Sequence, residues 1–336
     1  MILHLIVRRL MFLVVVLFAL SIITFSLMYL VPSDPARKMA GPRASPEAVE
    51  QVRERYGLND PVLERYVNYV TGVVQFDFGE SLVTRREVSE DLQRYLPATL
   101  ELTFWAMVFA LAVGVPLGIL SAVRKDSFID AIGRVVSVIG LSVPSFWLAI
   151  VLQFFFFAQL GWFPDGQRLP VDVEPPPRIT TFYSVDALLH LEFSTFLTSM
   201  QHLTLPAFVL GFISLAPIVR MLRSGMLEVL GQDYIRTARA KGLPSRIVIN
   251  RHAVKNAVLP AITVIGLQLG LLLAGTVLVE IIFSWPGIGR YAWDAIQQRD
   301  PNSLISVTLI IGAGYVFVNL VVDITYMLLD PRIRVT

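Results

Sequence analysis

Six long stretches without a formally charged residue constrain the fold of this chain more than any other feature of its sequence. About 20 apolar residues, rising 1.5 Å each in an α-helix, cross a hydrocarbon core roughly 30 Å thick. The weakest stretch has 17 residues and contains Pro206 and Pro217, but residues 193–201 are also uncharged and extend it. In the third stretch, Pro144 interrupts a helix expected at residues 135–160. The six predicted membrane spans lie within residues 10–31, 102–123, 135–164, 203–219, 258–279 and 302–322.

Composition supports a membrane protein and excludes several other classes. The chain is 55% hydrophobic and 16% charged, whereas soluble domains carry about 25% charged residues, so much of its surface is expected to face lipid. It has no cysteine, which excludes thiolate catalysis, disulfides and cysteine-ligated metal sites. A net charge of +2 gives no reason to expect a nucleic-acid partner.

The first apolar stretch follows Arg8 and Arg9, as the apolar core of a cleaved signal peptide would. Its 22 residues exceed the roughly 7 to 15 apolar residues of a signal peptide, and Leu30-Val31-Pro32 offers no small-residue cleavage site. The stretch is therefore interpreted as a retained transmembrane helix, in a segment 1–31 that also holds a cytoplasmic N-terminus.

Basic residues in the short loops predict the orientation of the spans in the membrane. Assigning the span ends alternately to two sides places 15 of the 28 basic residues on one side, eight of them between Arg220 and Lys255. On the other side, two short loops hold four arginines, and nine basic residues lie among eleven acids in the long segment 32–96, where charge counts for little. Both termini are therefore predicted to be cytoplasmic, including a tail at 330–336.

The long outer segment 32–96 is predicted to form a periplasmic helical cap. Ser45-Pro46-Glu47 predicts the start of a helix that Gly57 ends, and Asp60-Pro61 predicts the start of a second helix that Gly72 ends. Two interpretations remain open for this cap. It either packs on the membrane domain without a binding site of its own, or it carries such a site.

A second outer loop, at residues 161–200, contains five prolines and five acids. This composition predicts an irregular and exposed segment. The loop is too long for a simple connection between helices, so a functional contact there is left open.

The basic inner loop 221–257 carries the strongest local pattern. Asp233 is expected to be the N-cap of a two-turn helix at 234–241, with Gly242 as its C′ residue and Pro244 as the breaker beyond it. These signals predict a short helix that turns sharply at its end.

Beyond that corner, Ser245 is expected to cap a second helix that runs to Pro260. Two short helices at an angle would form a knob projecting from the membrane. The alternative is a positive loop that fixes topology and touches anionic lipid. Charge alone would require neither the small residues Ala238 and Ala240 nor the corner.

These residues carry a resemblance to a known family. The segment from Asp233 to Leu243 reads DYIRTARAKGL and is followed by Arg251-His252-Ala253 and Leu259-Pro260. It resembles the cytoplasmic coupling loop of peptide-type ABC importer permeases, and the long first outer segment resembles the longer of the two paired permeases. Further matching motifs are RRL at 8–10, VPSDP at 31–35, DFGES at 77–81, LPATLEL at 96–102, FSWPGIG at 283–289 and DPRIR at 330–334.

The coupling loop also departs from the general importer pattern. That pattern opens with a glutamate and two alanines and reaches a glycine after three further residues. Here Arg236, Thr237 and Ala238 stand in the first three places and Gly242 in the last. The departures are shared with the peptide-type branch, and they put any coupling mechanism based on the glutamate in doubt.

The resemblance implies an all-α, polytopic membrane protein with six transmembrane helices and the type I ABC importer permease fold, in a bacterial inner membrane. A five-helix core would occupy residues 97–329. The implied partners are a second permease subunit, two cytoplasmic ATPases, a periplasmic or lipid-anchored solute-binding protein, and membrane lipids. The residues implied to contact an ATPase are Asp233, Tyr234, Arg236, Thr237, Ala238, Arg239, Ala240, Lys241, Gly242 and Pro244.

The same resemblance implies that this chain has no catalytic residue, metal site or cofactor of its own. ATP and magnesium would be bound by the partner ATPases, and no G-x-x-x-x-G-K-[ST] phosphate loop occurs in the sequence. The implied cargo is a peptide or a similar small solute, whose identity the sequence leaves open.

Polar residues within or near the ends of spans are candidates for the solute pathway or its gate, because burying charge in lipid is expensive. They are Glu101, Gln268, Glu280 and Asp323. For Glu101 and Glu280 the alternative is simple placement at the membrane interface. For Asp323 it is a hydrogen bond to Asn319, one turn away.

The two outer loops at 161–200 and 284–302 are expected to flank the pore mouth and to dock the solute-binding protein. The candidate docking residues are Asp165, Arg168, Asp172, Arg290 and Asp294.

An intramembrane enzyme is the main alternative class. It would need histidine with serine, or paired histidines with a carboxylate, at membrane depth. Neither H-E-x-x-H nor G-x-S-x-G occurs, and the four histidines lie at or outside the predicted span ends: His4, His190, His202 and His252. A free-standing channel or receptor is the remaining alternative.

Overall fold

The computed structural model describes residues 2–30, 35–41, 43–55, 57 and 59–329. Within these residues the chain is helical, and β structure is limited to one isolated bridge between Glu80 and Glu87. The chain divides into two compact units. Of the described residues, the larger unit holds those within 97–286 and 315–329, and the smaller unit holds those within 2–96 and 287–314. The predicted tail at 330–336 and the predicted start of the cap at 32–34 lie outside the described residues.

Most of the helices follow one another with short connections, and the segments 75–87 and 160–182 are longer. Two π-helical segments, Gln153–Gln159 and Val248–Ala253, continue α7 and join α11 to α12. In chain order the helices are α1 Ile2–Leu30, α2 Pro35–Ala40, α3 Pro46–Arg55, α4 Val62–Val74, α5 Val88–Val123, α6 Phe128–Ser142, α7 Ser145–Leu152, α8 Tyr183–Leu189, α9 Phe193–Leu230, α10 Asp233–Ala240, α11 Ser245–Ile247, α12 Val254–Gly275, α13 Val277–Ile282, α14 Ile288–Gln298 and α15 Pro301–Leu329.

Several helices are long and apolar enough to cross a membrane, which confirms the predicted all-α membrane class. Among the described residues there are four such helices, or five if α6 and α7 with its π-helical extension form one bent span. Leu10–Ser26 within α1 is a shorter apolar helix. The count of six spans and the cytoplasmic termini stay predictions. The four long spans are Val88–Val123, Phe193–Leu230, Ser245–Gly275 and Pro301–Thr325.

The third predicted span is broken rather than straight. α6 ends at Ser142, the chain resumes as α7 after Pro144, and the two helical segments meet at 105°. Proline disfavours helical backbone in the residue before it, and Val143 is extended accordingly, with φ −84° and ψ 123°. The sequence therefore predicted the position of the interruption correctly. The bend there is too large for the single helix expected at 135–160.

Close helix packing forms the core of the larger unit, because glycines let the backbones approach. A Cβ added at Gly118 on α5 would lie 2.8 Å from the Cβ of Leu222 on α9. A Cβ added at Gly140 on α6 would lie 2.7 Å from the Cβ of Ala216 on α9. The apolar cluster around these contacts includes the buried residues Leu102, Leu203, Leu215, Ile218, Ala261 and Leu272.

The outer segments contain more helix than the sequence predicted. In the smaller unit, α3 begins at Pro46 and Gly57 follows it with a φ of 58°, as expected, but α4 continues past Gly72. In the larger unit, only residues 161–182 of the second outer loop are irregular, because α8 and the start of α9 occupy the rest. The segment 284–302 contains α14.

A buried carboxylate organises the smaller unit. Asp300, at the start of α15, accepts hydrogen bonds from Ser81 Oγ at 2.7 Å, from Leu82 N at 2.8 Å and from Ser303 Oγ at 2.7 Å. The DFGES motif at 77–81 therefore serves the fold here, since its last residue anchors the segment to the N-terminus of α15.

Candidate functional site

The inner knob, defined here as residues 231–257, contains α10, a sharp corner and the start of the helix that continues into α12. Ile235 and Ala238 of α10 are buried. They pack in one apolar cluster with Met226 at the end of α9 and with Val248 and Ala253 beyond the corner. Ala122 at the end of α5 belongs to the same cluster. The knob is therefore anchored to two membrane-spanning helices, α5 and α9, through small and medium-sized apolar side chains.

The corner of the knob has the backbone that the sequence predicted. Gly242 has a φ of 74°, its N–H donates to Arg239 O at 2.9 Å, and the N–H of Leu243 donates to Ala238 O at 3.4 Å. This is a glycine C′ residue at a helix end, so the prediction for Gly242 is confirmed. A Cβ at Gly242 would meet no atom of this chain within 4 Å. A side chain at this position would therefore clash only with a bound partner.

Three details of the predicted knob are wrong. Asp233 is the first residue of α10 rather than its N-cap, which is Gln232. Ser245 is likewise the first residue of α11, with Pro244 before it. The second helix does not stop at Pro260. It runs through the π-helical segment into α12, which contains Pro260 and continues to Gly275.

The outward face of the knob is exposed and basic. The side chains of Asp233 and Arg236 are 95% and 74% exposed and form an ion pair at 3.3 Å. Residues 231–257 hold six basic residues and one acid. Leu243 and Ile247 add exposed apolar surface. The remaining predicted contact residues on this face are Tyr234, Thr237, Arg239, Ala240, Lys241, Gly242 and Pro244, all exposed.

Ala238 differs from its neighbours in this set, because it is buried against the chain itself. The prediction that Ala238 offers a small face to a partner is therefore wrong. Ala240, the other residue of the predicted small face, is exposed. The side chain of Tyr234 is held by α12, since Asn256 Nδ2 donates a hydrogen bond to its hydroxyl oxygen at 2.9 Å.

On the other end of the larger unit, Glu101 forms a buried polar network. Its Oε2 accepts from Arg168 Nη2 at 2.6 Å, and its Oε1 accepts from Ser184 N at 2.8 Å and from Ser184 Oγ at 2.6 Å. Trp105 Nε1 donates to Ser184 Oγ at 2.9 Å. The guanidinium of Arg168 also lies 3.5 Å from the centroid of the Tyr183 ring. Both carboxylate oxygens are thus occupied by donors from the outer loop.

This network changes the interpretation of two predicted residues. Arg168 is only 6% exposed, so it offers little surface to a binding protein, and its part in docking stays a prediction. Glu101 is fully buried and holds the outer loop to α5. Its place in a solute pathway stays a prediction.

The same loop has a second anchor. Gly166 has a φ of 153°, and a Cβ there would lie 1.7 Å from Phe283 O. The N–H of Gln167 donates to the same carbonyl at 2.8 Å, and Gln153 Nε2 donates to Asp165 O at 2.6 Å. Only glycine fits at this close approach.

The other pathway candidates lie at separate positions in the larger unit. Glu280 on α13 is fully buried, and its Oε1 accepts from Thr99 Oγ1 at 2.6 Å and from Thr276 Oγ1 at 2.8 Å. Gln268 on α12 and Asp323 on α15 are half-buried. Their roles in a pathway stay predictions.

The remaining docking candidates divide between the two units. Asp165 and Asp172 are exposed on the irregular loop of the larger unit. Asp294 is exposed on α14 of the smaller unit, where Arg290 is half-buried.

The structure also shows ionic residues that sequence reasoning missed. Arg223 on α9 forms a bidentate pair with the buried Asp130 of α6, with N–O distances of 2.5 and 2.9 Å. Asp186 in α8 accepts from the backbone N–H groups of Thr180 and Thr181. Burial alone would raise the pKa of Asp186, but these hydrogen bonds hold it below its ordinary value. A signal existed for Asp130 alone, since Ser127-x-x-Asp130 is a helix-start pattern.

Comparison with known proteins gives two family matches. Residues 114–335 match the family described as "Binding-protein-dependent transport system inner membrane component". Residues 2–103 match its N-terminal companion, "Binding-prot-dependent transport system membrane comp, N-term".

Curated relatives match over nearly their full length. A "Probable D,D-dipeptide transport system permease protein DdpB" of Escherichia coli (strain K12) is 44% identical, covering 96% of this chain and 94% of the relative. A "Dipeptide transport system permease protein DppB" of Alkalihalophilus pseudofirmus is also 44% identical, covering 97% and 98%. An "Oligopeptide transport system permease protein AppB" of Bacillus subtilis (strain 168) is 40% identical, covering 98% of each chain.

Proposed function

This chain belongs to the family of binding-protein-dependent transport system inner membrane components, and from that premise we propose that its inner knob couples solute movement to ATP hydrolysis by partner subunits. The chain itself is a multi-pass permease component of the inner membrane and is not the hydrolysing subunit.

The knob's construction is the observation that supports this proposal. A topology signal needs only positive charge near the membrane. This knob has in addition a buried apolar anchor at Ile235 and Ala238, a fixed corner at Gly242 and an exposed outer face. Such a rigid projection can be gripped by a partner and moved as one body with the helices it joins.

The proposed assembly contains this chain, a second permease, two cytoplasmic ATPases and an outer solute-binding protein. ATP and magnesium are bound by the ATPases in this proposal. Closure of the ATPase pair moves the knob, and α9 and α12 follow because their ends pack against it. The two permeases then open alternately to either side.

The proposed cargo is a short peptide, in line with the printed names of the relatives. We assign selection among peptides mainly to the solute-binding protein. The exposed acids Asp165 and Asp172 are proposed to contact it, and Asp294 is proposed to do so from the smaller unit.

Site-specific crosslinking tests the coupling proposal directly, because the chain contains no cysteine. Ala240→Cys places a unique thiol on the exposed face of the knob. A thiol-to-amine crosslinker applied to membranes holding the whole transporter should join this chain to an ATPase subunit. The matched control is Lys125→Cys, an exposed position in the turn between α5 and α6. Equal crosslinking from both positions, or none from Ala240→Cys, would contradict the proposal.

A further inference from the structure

Asp130 joins three parts of the larger unit at one carboxylate. It lies in the first turn of α6 and is fully buried. Its Oδ1 accepts from Arg223 Nε at 2.5 Å, and its Oδ2 accepts from Arg223 Nη2 at 2.9 Å and from Asp126 N at 3.1 Å. Arg134 Nε lies 3.9 Å from the same carboxylate. One side chain thus connects α9, α6 and the turn between α5 and α6.

The pair lies next to the anchor of the inner knob. Arg223 precedes Met226 by three residues on α9, which is about one helical turn. Met226 is fully buried in the cluster that holds Ile235 and Ala238 of α10. Only Gly231 and Gln232 separate α9 from α10. Displacement of α10 therefore reaches Arg223 with little intervening chain to absorb it.

On its other side the pair leads to the broken span. α6 is held to α9 at two places, by Asp130 near its start and by Gly140 against Ala216 near its end. Immediately after Gly140 the span turns by 105° at Pro144. Since α6 is held to α9 at both ends, we expect it to move with α9, and any change of its angle to α7 to occur at the break.

We propose that Asp130 and Arg223 form a rigid joint that transmits movement of the knob from α9 to the broken span α6–α7. This inference rests on the proposed function of the knob. A bidentate arginine–carboxylate pair fixes orientation as well as distance. Because the carboxylate is buried, salt screens the pair much less than it screens a surface pair. Arg223 and Asp130 are positioning residues here and do not contact solute.

The central test uses the assembled transporter in proteoliposomes with radiolabelled dialanine as the probe. The double variant Asp130→Asn with Arg223→Gln removes both charges of the pair and leaves no buried ion unpaired, since the Arg134 side chain is 55% exposed, so the complex should still assemble. ATP hydrolysis stimulated by the loaded binding protein should persist. Dialanine taken up per ATP hydrolysed should fall roughly tenfold, within the range typical of coupling between sites.

Two single variants sharpen the result. Arg223→Lys keeps the positive charge but loses the planar guanidinium that bonds both carboxylate oxygens. Its uptake per ATP should therefore lie between those of the wild type and the double variant. Arg220→Gln is the matched control, since Arg220 is an exposed basic residue one turn earlier on α9. It should behave as wild type.

The outcomes separate this inference from the function it rests on. If the double variant assembles and couples as wild type does, the joint is structural only and the inference is wrong. If it assembles poorly but the surviving complexes show normal uptake per ATP, the inference is also wrong. If the wild-type chain does not copurify with ATPases, the proposed function fails, and the joint fails with it.

Discussion

The inner knob and the outer loop at 161–182 use charged residues in opposite ways. In the knob, apolar residues such as Ile235 hold the backbone in place, and charged side chains such as Arg236 extend into solvent. In the outer loop, Arg168 is buried against Glu101 and fixes the loop to α5. The comparison teaches that a charge beside a membrane span can serve the fold or a partner, and that burial distinguishes the two.

The largest expected effect comes from breaking the outer network. Glu101→Ala leaves Arg168 buried without its carboxylate, and removing one partner of a buried pair costs about 3–5 kcal/mol. The variant should lower the thermal unfolding temperature of the purified transporter and make residues 161–182 sensitive to protease.

The matched control for this prediction is Asp172→Ala, an exposed acid on the same loop. It should change stability by less than about 0.5 kcal/mol. Equal loss of stability in both variants would remove the distinction between buried and exposed charges on the outer side.

The next largest effect separates the two faces of α10. Ala238→Trp inserts a large ring into the cluster around Met226 and should destabilise the chain by about 1–3 kcal/mol. Ala240→Trp places the same ring outside the chain, so the purified subunit should keep its stability while its pull-down of ATPase weakens. Thermal unfolding and pull-down, measured on both variants, give the comparison. The face assignment is wrong if Ala240→Trp is the less stable variant.

A smaller effect concerns Asp186, whose pKa is held below its ordinary value by hydrogen bonds from residues 179–181. A lowered pKa stabilises the folded state above the unfolded pKa of about 3.8, and this stability is lost as the pH falls through the folded value. Between about pH 5 and pH 3, the wild-type unfolding temperature should therefore fall more than that of Asp186→Asn. Parallel curves for the two proteins would contradict this assignment.

The smallest effect is expected from Arg239→Ala on the exposed face of the knob. It removes one of the six basic residues in 231–257, so topology and stability should be preserved, with a change below about 0.5 kcal/mol. Accessibility of a terminal tag on either side of the membrane would reveal an inverted chain.

The sequence predicted the larger elements because their causes are local. Uncharged stretches predicted the membrane helices, and glycine followed by proline predicted the corner at Gly242 and Pro244. Pro144 marked the break in the third span. The sequence could not predict the 105° angle between the two helices, because packing of α6 and α7 against the rest of the larger unit sets that angle.

The parts of the site that sequence reasoning missed depend on contacts between distant residues. Glu101 meets Arg168 across 67 positions and Asp130 meets Arg223 across 93. No local pattern pairs them. Ala238 was assigned to the wrong face for a similar reason, because its neighbours come from α9 and from beyond the corner.

Replacement of Gly242 tests the central claim about the knob most directly. Asp tolerates positive φ better than most residues, and a Cβ there meets no atom of this chain within 4 Å, so Gly242→Asp should leave the chain inserted and paired with its partner permease. In proteoliposomes it should abolish dialanine uptake, with the ATPases either lost or unresponsive to the loaded binding protein, while Arg239→Ala transports normally. Normal uptake by Gly242→Asp together with inversion of Arg239→Ala would show that the knob is a topology signal.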